Sequence, residues 1–336
     1  MSAFHDRLIQ YLQSAGRPFK IQQLTPDAST REYFRVFRDD ATMIACVYPE
    51  AFSAKEQSYL DVTALFIRSG LPVAKIFDFD ESLGIILIED MGDTILRDVL
   101  GSTSEEKRED LLDKAIGLIT RIQAATETAY DTNSIASRLR FDEEKLLWEL
   151  EFFQEHYFTT YLKKLLSNEE NAALRSEFIE LSRELETKAK VLCHRDFHAA
   201  NLMVDADGEL RIIDHQDARI GSASYDLVSL LLDRVTEPQT TEWLAGKRRL
   251  FLKERTNLGL EPITEDEFTH EFRLQTIQRC LKAVGTFSFQ SAIRGKSYFE
   301  PFIIPTFKIV IRAIESLDRF PILSRILHDH IDQTRK

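Results

Sequence analysis

The stretch that most constrains this chain runs from Val191 to Asp226, VLCHRDFHAANLMVDADGELRIIDHQDARIGSASYD. Two apolar runs, Leu202-Met203-Val204 and Leu210-Arg211-Ile212-Ile213, flank Asp205-Ala206-Asp207-Gly208. Asp-Gly between apolar runs supplies the positive φ of a tight turn, so the segment reads as a β-hairpin. A third run, Val191-Leu192-Cys193, leads into His194-Arg195-Asp196, and Asp214-His215-Gln216-Asp217 leaves the hairpin. A hairpin presents its entering and leaving loops at one end. Asp196, Asn201 and Asp214 are therefore expected to converge.

The spacing has a chemical reading. His194-Arg195-Asp196, four residues and Asn201 match H-R-D-x-x-x-x-N, the catalytic loop of the protein-kinase-like fold. Asp214 follows Asp196 by eighteen residues, where that fold keeps its metal-binding aspartate. Phosphoryl transfer needs a carboxylate to orient the acceptor hydroxyl and accept its proton. It also needs oxygen ligands that hold Mg²⁺ on the β- and γ-phosphates. Asp196 is the expected base, in a catalytic loop with His194 and Arg195, and Asn201 and Asp214 are the expected metal ligands. Asp205 and Asp207 are turn formers. A rival reading gathers His194, Asp196, His198 and His215 into a metal-hydrolase cluster, but the other histidines, on predicted helices, offer no further ligand group.

Upstream, the pattern predicts a small α+β unit. Phe4–Ala15 has helical periodicity. Phe19–Leu24, Tyr33–Arg38, Met43–Tyr48, Val73–Phe79 and Ile85–Glu89 read as strands, and Ser53–Ser69 as a helix capped by Ser53 and stopped at Gly70. Beyond Gly92 long helices dominate: 104–125, the aromatic 142–166, 169–190, 224–235, 242–256, 265–293 (one helix or two) and 302–317. The expected organisation is a nucleotide-binding lobe over 1–92 and a helical lobe over 93–336. With 336 residues, 43% of them hydrophobic and 29% charged, the chain has an ordinary globular balance. Its net charge of −12 argues against a nucleic-acid binder. Cys46, Cys193 and Cys280 lack metal-site spacing and read as reduced thiols, and no run reaches the ~20 apolar residues of a membrane span. Residues 1–16 lack the pattern of a signal peptide, so a cytoplasmic protein is expected, a monomer or weak homodimer.

The chain resembles the aminoglycoside phosphotransferase (APH) family of small-molecule kinases. Within it, the chain is similar to the bacterial cell-wall sugar kinases that act on the anomeric hydroxyl of N-acetylmuramate and N-acetylglucosamine. The motifs behind the narrower likeness are 27–35 (DASTREYFR), 194–204, 213–218 (IDHQDA), 225–230 (YDLVSL) and 281–287 (LKAVGTF). The resemblance spans roughly residues 20 to 315. It implies a two-lobe protein-kinase-like fold and a requirement for ATP and Mg²⁺. It also implies an adenine hinge at Glu89-Asp90-Met91-Gly92, and Gln216 and Asp217 directed toward the acceptor. Other acceptors of the fold (an aminoglycoside, choline, homoserine) and a nucleotide-binding pseudokinase are the alternatives.

Two departures from the family pattern bear on ATP. No G-x-G-x-x-G joins the first strands, which leaves Ser29, Thr30 and Arg31 as the candidate phosphate loop. The third strand, Met43-Ile44-Ala45-Cys46-Val47-Tyr48, lacks the lysine that the fold sets on the α- and β-phosphates. Arg31 or Arg35 is left to supply that charge, with Lys55 and Lys75 as alternatives better suited to a solvated surface. For the acceptor, the aromatic helix offers Glu149, Glu151, Phe152 and Tyr157, although its rings also suit plain core packing. Of these Glu151 is the candidate substrate contact; Arg294 and Lys296 could meet an acceptor carboxylate. Asp226 is expected to anchor the catalytic loop.

Overall fold

A computed structural model of the protein describes residues 3–14, 19–24, 30–38 and 41–334. In chain order the elements are α1 (Ala3–Ser14), β1 (Lys20–Leu24), β2 (Glu32–Arg38), β3 (Ala41–Val47), α2 (Ser58–Arg68), β4 (Ile76–Asp80) and β5 (Ile85–Glu89). Then come α3 (Leu96–Ser102), α4 (Glu105–Ala124), α5 (Thr126–Asp131), α6 (Ile135–Arg138), α7 (Glu143–Gln154) and α8 (Asn168–Lys188). The central stretch gives β6 (Val191–Cys193), β7 (Leu202–Val204), β8 (Leu210–Ile212) and β9 (Arg219–Gly221). The chain continues with α9 (Tyr225–Leu232), α10 (Thr241–Asn257), α11 (Glu265–Ala292), α12 (Ile303–Leu317) and α13 (Pro321–Thr334). By internal contacts these fall into two compact units: residues 1–104, 128–135 and 199–217, and residues 105–127, 136–198 and 218–336.

The first unit holds an antiparallel sheet of order β1-β2-β3-β5-β4. Along β2, buried Phe34 and Val36 alternate with half-buried Tyr33 and Arg35, the period-2 pattern of a strand with one covered face. Leu8 and Leu12 of α1 pack on Phe34, Val36, Ala45, Val47, Ile85 and Leu87. Burying each such side chain contributes about 1.5–3 kcal/mol. The β7–β8 hairpin forms as expected. Gly208 takes φ +81°, and the Asp205 carboxylate accepts the Asp207 and Glu209 amides at 3.1 and 2.9 Å. The hairpin docks on its own unit through bonds from Ile212 N to Pro72 O (2.8 Å) and from Val204 N to Thr94 O (2.9 Å).

In the second unit, α11 is one 28-residue helix, opened by a capping box of Thr264 and Glu267. It packs on α7, α9 and α12. A close approach is at Gly285, where an added Cβ would lie 2.7 Å from Phe153 Cα of α7. No described helix is long and apolar enough to cross a membrane.

Three expectations need correcting. The helix expected from Ser53 starts at Ser58, because 54–56 form a turn and Gln57 is the cap that accepts from Tyr59 N. The aromatic helix expected over 142–166 is α-helical only to Gln154. From Glu155 to Tyr161 it widens into a π-helical turn, which lets Tyr157 and Phe158 both stay buried. The C-terminal α13, absent from the sequence reading, begins at Pro321. Its Ile322 and Leu323 amides are met by the Glu177 carboxylate of α8 at 2.8 and 2.9 Å.

Candidate active site

The catalytic loop belongs to the second unit as far as His198. Strand β6 pairs antiparallel with β9 and delivers His194-Arg195-Asp196. The loop is pinned from below by Asp226, fully buried in the first turn of α9, which accepts the His194 and Arg195 amides at 2.6 and 3.0 Å. This bond pair holds Arg195 at φ +85°, a left-handed conformation that a non-glycine residue keeps only when its surroundings enforce it. Burial raises the Asp226 carboxyl to about 6, against the lowering by His194 and the two amides. The anchoring role expected for Asp226 is its observed geometry.

Asp196 is the centre of a cationic clamp. Lys282 Nζ and Arg279 Nη2, both from α11, lie 3.2 and 3.3 Å from its Oδ1, and Arg195 Nε lies 3.8 Å from Oδ2. Burial works against ionisation, but Lys282, Arg279 and Arg195 outweigh it and hold the carboxyl well below the usual carboxylate range. Its side chain keeps 26% exposure, enough for a substrate atom to approach. His194 is fully buried, with its ring edge-on to Phe197. Sequence reasoning did not single out Arg279, and it quoted Lys282 only within the 281–287 motif, without a role.

The first unit carries the other set. Asp214 opens the loop after β8 at φ +60°. Its Oδ2 lies 3.4 Å from Asn201 Nδ2, its Oδ1 accepts from Gln216 Nε2 at 2.9 Å, and Arg31 Nη2 lies 3.7 Å from the same Oδ1. Asn201 is placed by its carbonyl, which accepts the Ile213 amide at 3.1 Å. Arg31 lies over the Tyr33 and Tyr48 rings, 5.8 and 5.6 Å from their centroids. His215 is held between α2 side chains, bonded to Thr63 Oγ1 at 2.7 Å and stacked on Phe66. Asp217 is half-buried at the end of this loop.

Other expected residues separate cleanly. The Arg35 guanidinium is engaged by carboxylates: it grips Asp90 at 2.7 and 3.1 Å and Asp93 at 2.7 and 3.0 Å. The segment 89–93 is braced by that fork, and by Glu89, whose carboxylate accepts the Lys75 amide and Arg211 Nη2 at 3.1 and 3.0 Å. Met91 is half-buried, Thr30 is exposed, and Ser29 lies outside the described residues. Lys55 and Lys75 are exposed.

Glu151 is on the outer face of α7, paired with Arg175 of α8 at 2.9 Å. Glu149, two residues and about 200° earlier on the helix, is the fully buried carboxylate, bonded to Gln278 at 2.9 Å. Tyr157 is fully buried and stacked in an aromatic core with Phe153 and Phe307. Arg294 is exposed beyond the end of α11. For the rival metal cluster, no three described His, Cys, Asp or Glu residues are grouped so that they could hold one ion.

With this geometry in place the comparisons are decisive. Residues 20–261 match the model of the APH phosphotransferase enzyme family. The chain belongs to this family. An N-acetylmuramate/N-acetylglucosamine kinase from Neisseria meningitidis serogroup B is 31% identical, over 92% of this chain and 90% of the relative. A kinase of the same name from Pseudomonas aeruginosa is 28% identical, over 81% and 77%. Among solved structures, the gentamicin complex of APH(2")-IIa superposes with a TM-score of 0.60 at 13% identity, covering 96% of this chain and 99% of that one. That superposition establishes the protein-kinase-like fold for this APH-family chain, with its five-stranded sheet and helical remainder. As a family member it is an ATP-dependent phosphotransferase acting on a small molecule.

Proposed function

We propose that this APH-family kinase phosphorylates an amino sugar, N-acetylmuramate or N-acetylglucosamine, at the anomeric hydroxyl. The sugar class rests on the 31% identity with a kinase of that name across nine-tenths of both chains. The reaction rests on one observation, an ionised Asp196 clamped by Lys282 and Arg279. In the proposed step the acceptor oxygen forms a bond to the γ-phosphorus. The bond from that phosphorus to the β–γ bridging oxygen breaks, and ADP leaves. The acceptor proton passes to Asp196, whose carboxylate first orients the hydroxyl. A carboxylate held so firmly ionised is a weak base. An anomeric hydroxyl, more acidic than an ordinary alcohol, is the acceptor such a base suits best.

Asn201 and Asp214 offer hard oxygen donors, the chemistry that Mg²⁺ takes when it is also bound by phosphates. They are the proposed ligands; when bound, the ion offsets charge on the β- and γ-phosphates. Arg31 is the proposed replacement for the missing strand lysine, supported by its approach to Asp214. Backbone groups of Glu89, Asp90 and Met91 are the proposed adenine contacts.

The test is ADP release across a panel of amino sugars, aminoglycosides, choline and homoserine, with position-resolved NMR of the product. Phosphate should appear on the anomeric oxygen of the sugars, and the corresponding alditols should not be phosphorylated. Turnover confined to choline or an aminoglycoside would reject the sugar reading.

A further inference from the structure

One edge of α7 carries Lys145, Trp148, Glu149 and Phe152, the i, i+3, i+4, i+7 spacing of a single stripe. The stripe follows α11. Glu149 bonds Gln278, Phe152 packs near Gly285 and Phe289, and Lys282 stands one helical turn after Gln278. Lys282 is also the residue that holds Asp196. The stripe therefore follows the helix that reaches the reactive carboxylate, wholly within the second compact unit.

Three properties of the stripe are unusual for packing alone. Trp148 is 52% exposed although a neighbouring core is available to α7. Lys145 Nζ sits 3.9 Å above the Trp148 ring and makes no ion pair among the described residues. Glu149 Oε1 is buried without a hydrogen-bond partner among them, and so is the Tyr225 hydroxyl of α9. Orphaned buried polar atoms mark places that receive a water or a ligand group. The local charge is also lopsided. Arg195, Arg279 and Lys282 surround Asp196, and Lys145, its pKa lowered first by burial, is attracted by Glu149 and repelled by Arg195, Arg219 and Lys282. Arg279 is committed to Ser229 and Asp233 as well. Lys145 has no such commitment. An exposed indole suits the C–H face of a pyranose, and a lysine beside it that makes no ion pair among the described residues suits a carboxylate on that ring.

We propose that Lys145 and Trp148 form an acceptor subsite for a sugar acid, with the ring face on the indole and the carboxylate on the Lys145 ammonium. The inference rests on the amino-sugar reading and deepens it. N-acetylmuramate carries a lactyl carboxylate that N-acetylglucosamine lacks, so Lys145 favours the first acceptor over the second, while Trp148 serves both.

The experiment measures kcat and KM for both sugars in the full-length chain and in Lys145→Met, Lys145→Arg and Trp148→Ala, with thermal denaturation as the fold control. Lys145→Met should lose more than tenfold in kcat/KM for N-acetylmuramate, mostly through KM, and stay within about threefold for N-acetylglucosamine. Lys145→Arg should recover most of that loss, and Trp148→Ala should raise KM for both sugars. Equal losses on both sugars in Lys145→Met, or no loss on either, overturn the subsite. A wild-type enzyme that uses N-acetylglucosamine alone also overturns it, and leaves the sugar-kinase reading standing. A wild-type enzyme that uses neither sugar removes that reading and the subsite together.

Discussion

Gly285→Ala is the substitution for which the structure yields a magnitude. Glycine inside α11 costs helix stability, about 1 kcal/mol relative to alanine. At an open position alanine would therefore be favourable. At 285 the new Cβ would lie 2.7 Å from Phe153 Cα, and 3.0 Å from both Phe153 N and Phe152 Cδ1. The first distance falls about 0.7 Å short of ordinary contact at 3.4 Å, and the obstructing atom is helix backbone that cannot rotate away. Overpacking of this kind costs about 1–3 kcal/mol. Backbone obstruction places the cost in the upper half of that range, for a net loss of about 1–2 kcal/mol after the propensity gain. For a chain of 336 residues a melting-temperature drop of about 1.5–3 °C follows. Gly117→Ala in α4 and Gly246→Ala in α10 are the controls: neither Cβ meets an atom within 4 Å, so both should hold or raise the melting temperature. Because α7 must shift, Gly285→Ala should also raise the KM for the acceptor while leaving the KM for ATP within about twofold. Melting curves and coupled ADP-release assays read both effects. If Gly285→Ala melts with or above the controls, the helices are not locked at this glycine.

Other substitutions separate the proposed roles. Asp196→Asn should lower kcat by about 10²–10⁴ with little change in ADP affinity, measured by steady-state rates and calorimetry. Arg31→Met should raise the KM for ATP and depress kcat. Arg35→Met should lower the melting temperature instead, by freeing Asp90 and Asp93 at the hinge; exchanged outcomes would reverse the two assignments. Asp226 has a pH signature. Its folded value, raised to about 6 from an ordinary value of about 3.9, means that folding binds a proton between the two. Its contribution is greatest below pH ~4 and is lost as pH rises through ~6. The melting temperature of wild type minus that of Asp226→Asn should therefore fall across that interval, and a difference that is flat or rising with pH would contradict the burial argument.

The hairpin and the spacing of its candidate residues were legible because their signals are local. Asp205-Ala206-Asp207-Gly208 specifies its own turn, and the His-Arg-Asp and Asp214 loops follow at fixed distances along the chain. The partners of Asp196 were not legible. Arg279 and Lys282 lie 83 and 86 residues away, and only the three-dimensional path of α11 brings them to the loop. The different placements of Glu149 and Glu151 were readable from periodicity. Leu146, Leu150 and Phe153 mark the buried face of α7, and Glu149 falls at its edge while Glu151 falls outside it. A carboxylate within an apolar stripe was the signal. Strand β9 was invisible for another reason: three residues, Arg219-Ile220-Gly221, carry too little periodicity to register.

On the proposed assignment, Arg31 supplies the charge of the missing strand lysine from a different backbone position. Register pairs Cys46 of β3 with Tyr33 of β2, and Cys46 is buried, its thiol pushed up to about 11 by burial. A neutral residue there removes the cation from the strand. It also allows the Tyr33 and Tyr48 rings to form a shelf on which the Arg31 guanidinium can lie. From that shelf Arg31 comes within 3.7 Å of Asp214. Arg35 is two strand positions further along the same face, but its four hydrogen bonds to Asp90 and Asp93 consume the fork that a phosphate would need. Because guanidinium is planar and stacks on aromatic rings where ammonium does not, Arg31→Lys should restore little of the activity lost in Arg31→Met. Full rescue by lysine would mean that Arg31 acts as a point charge and that the tyrosine shelf is incidental.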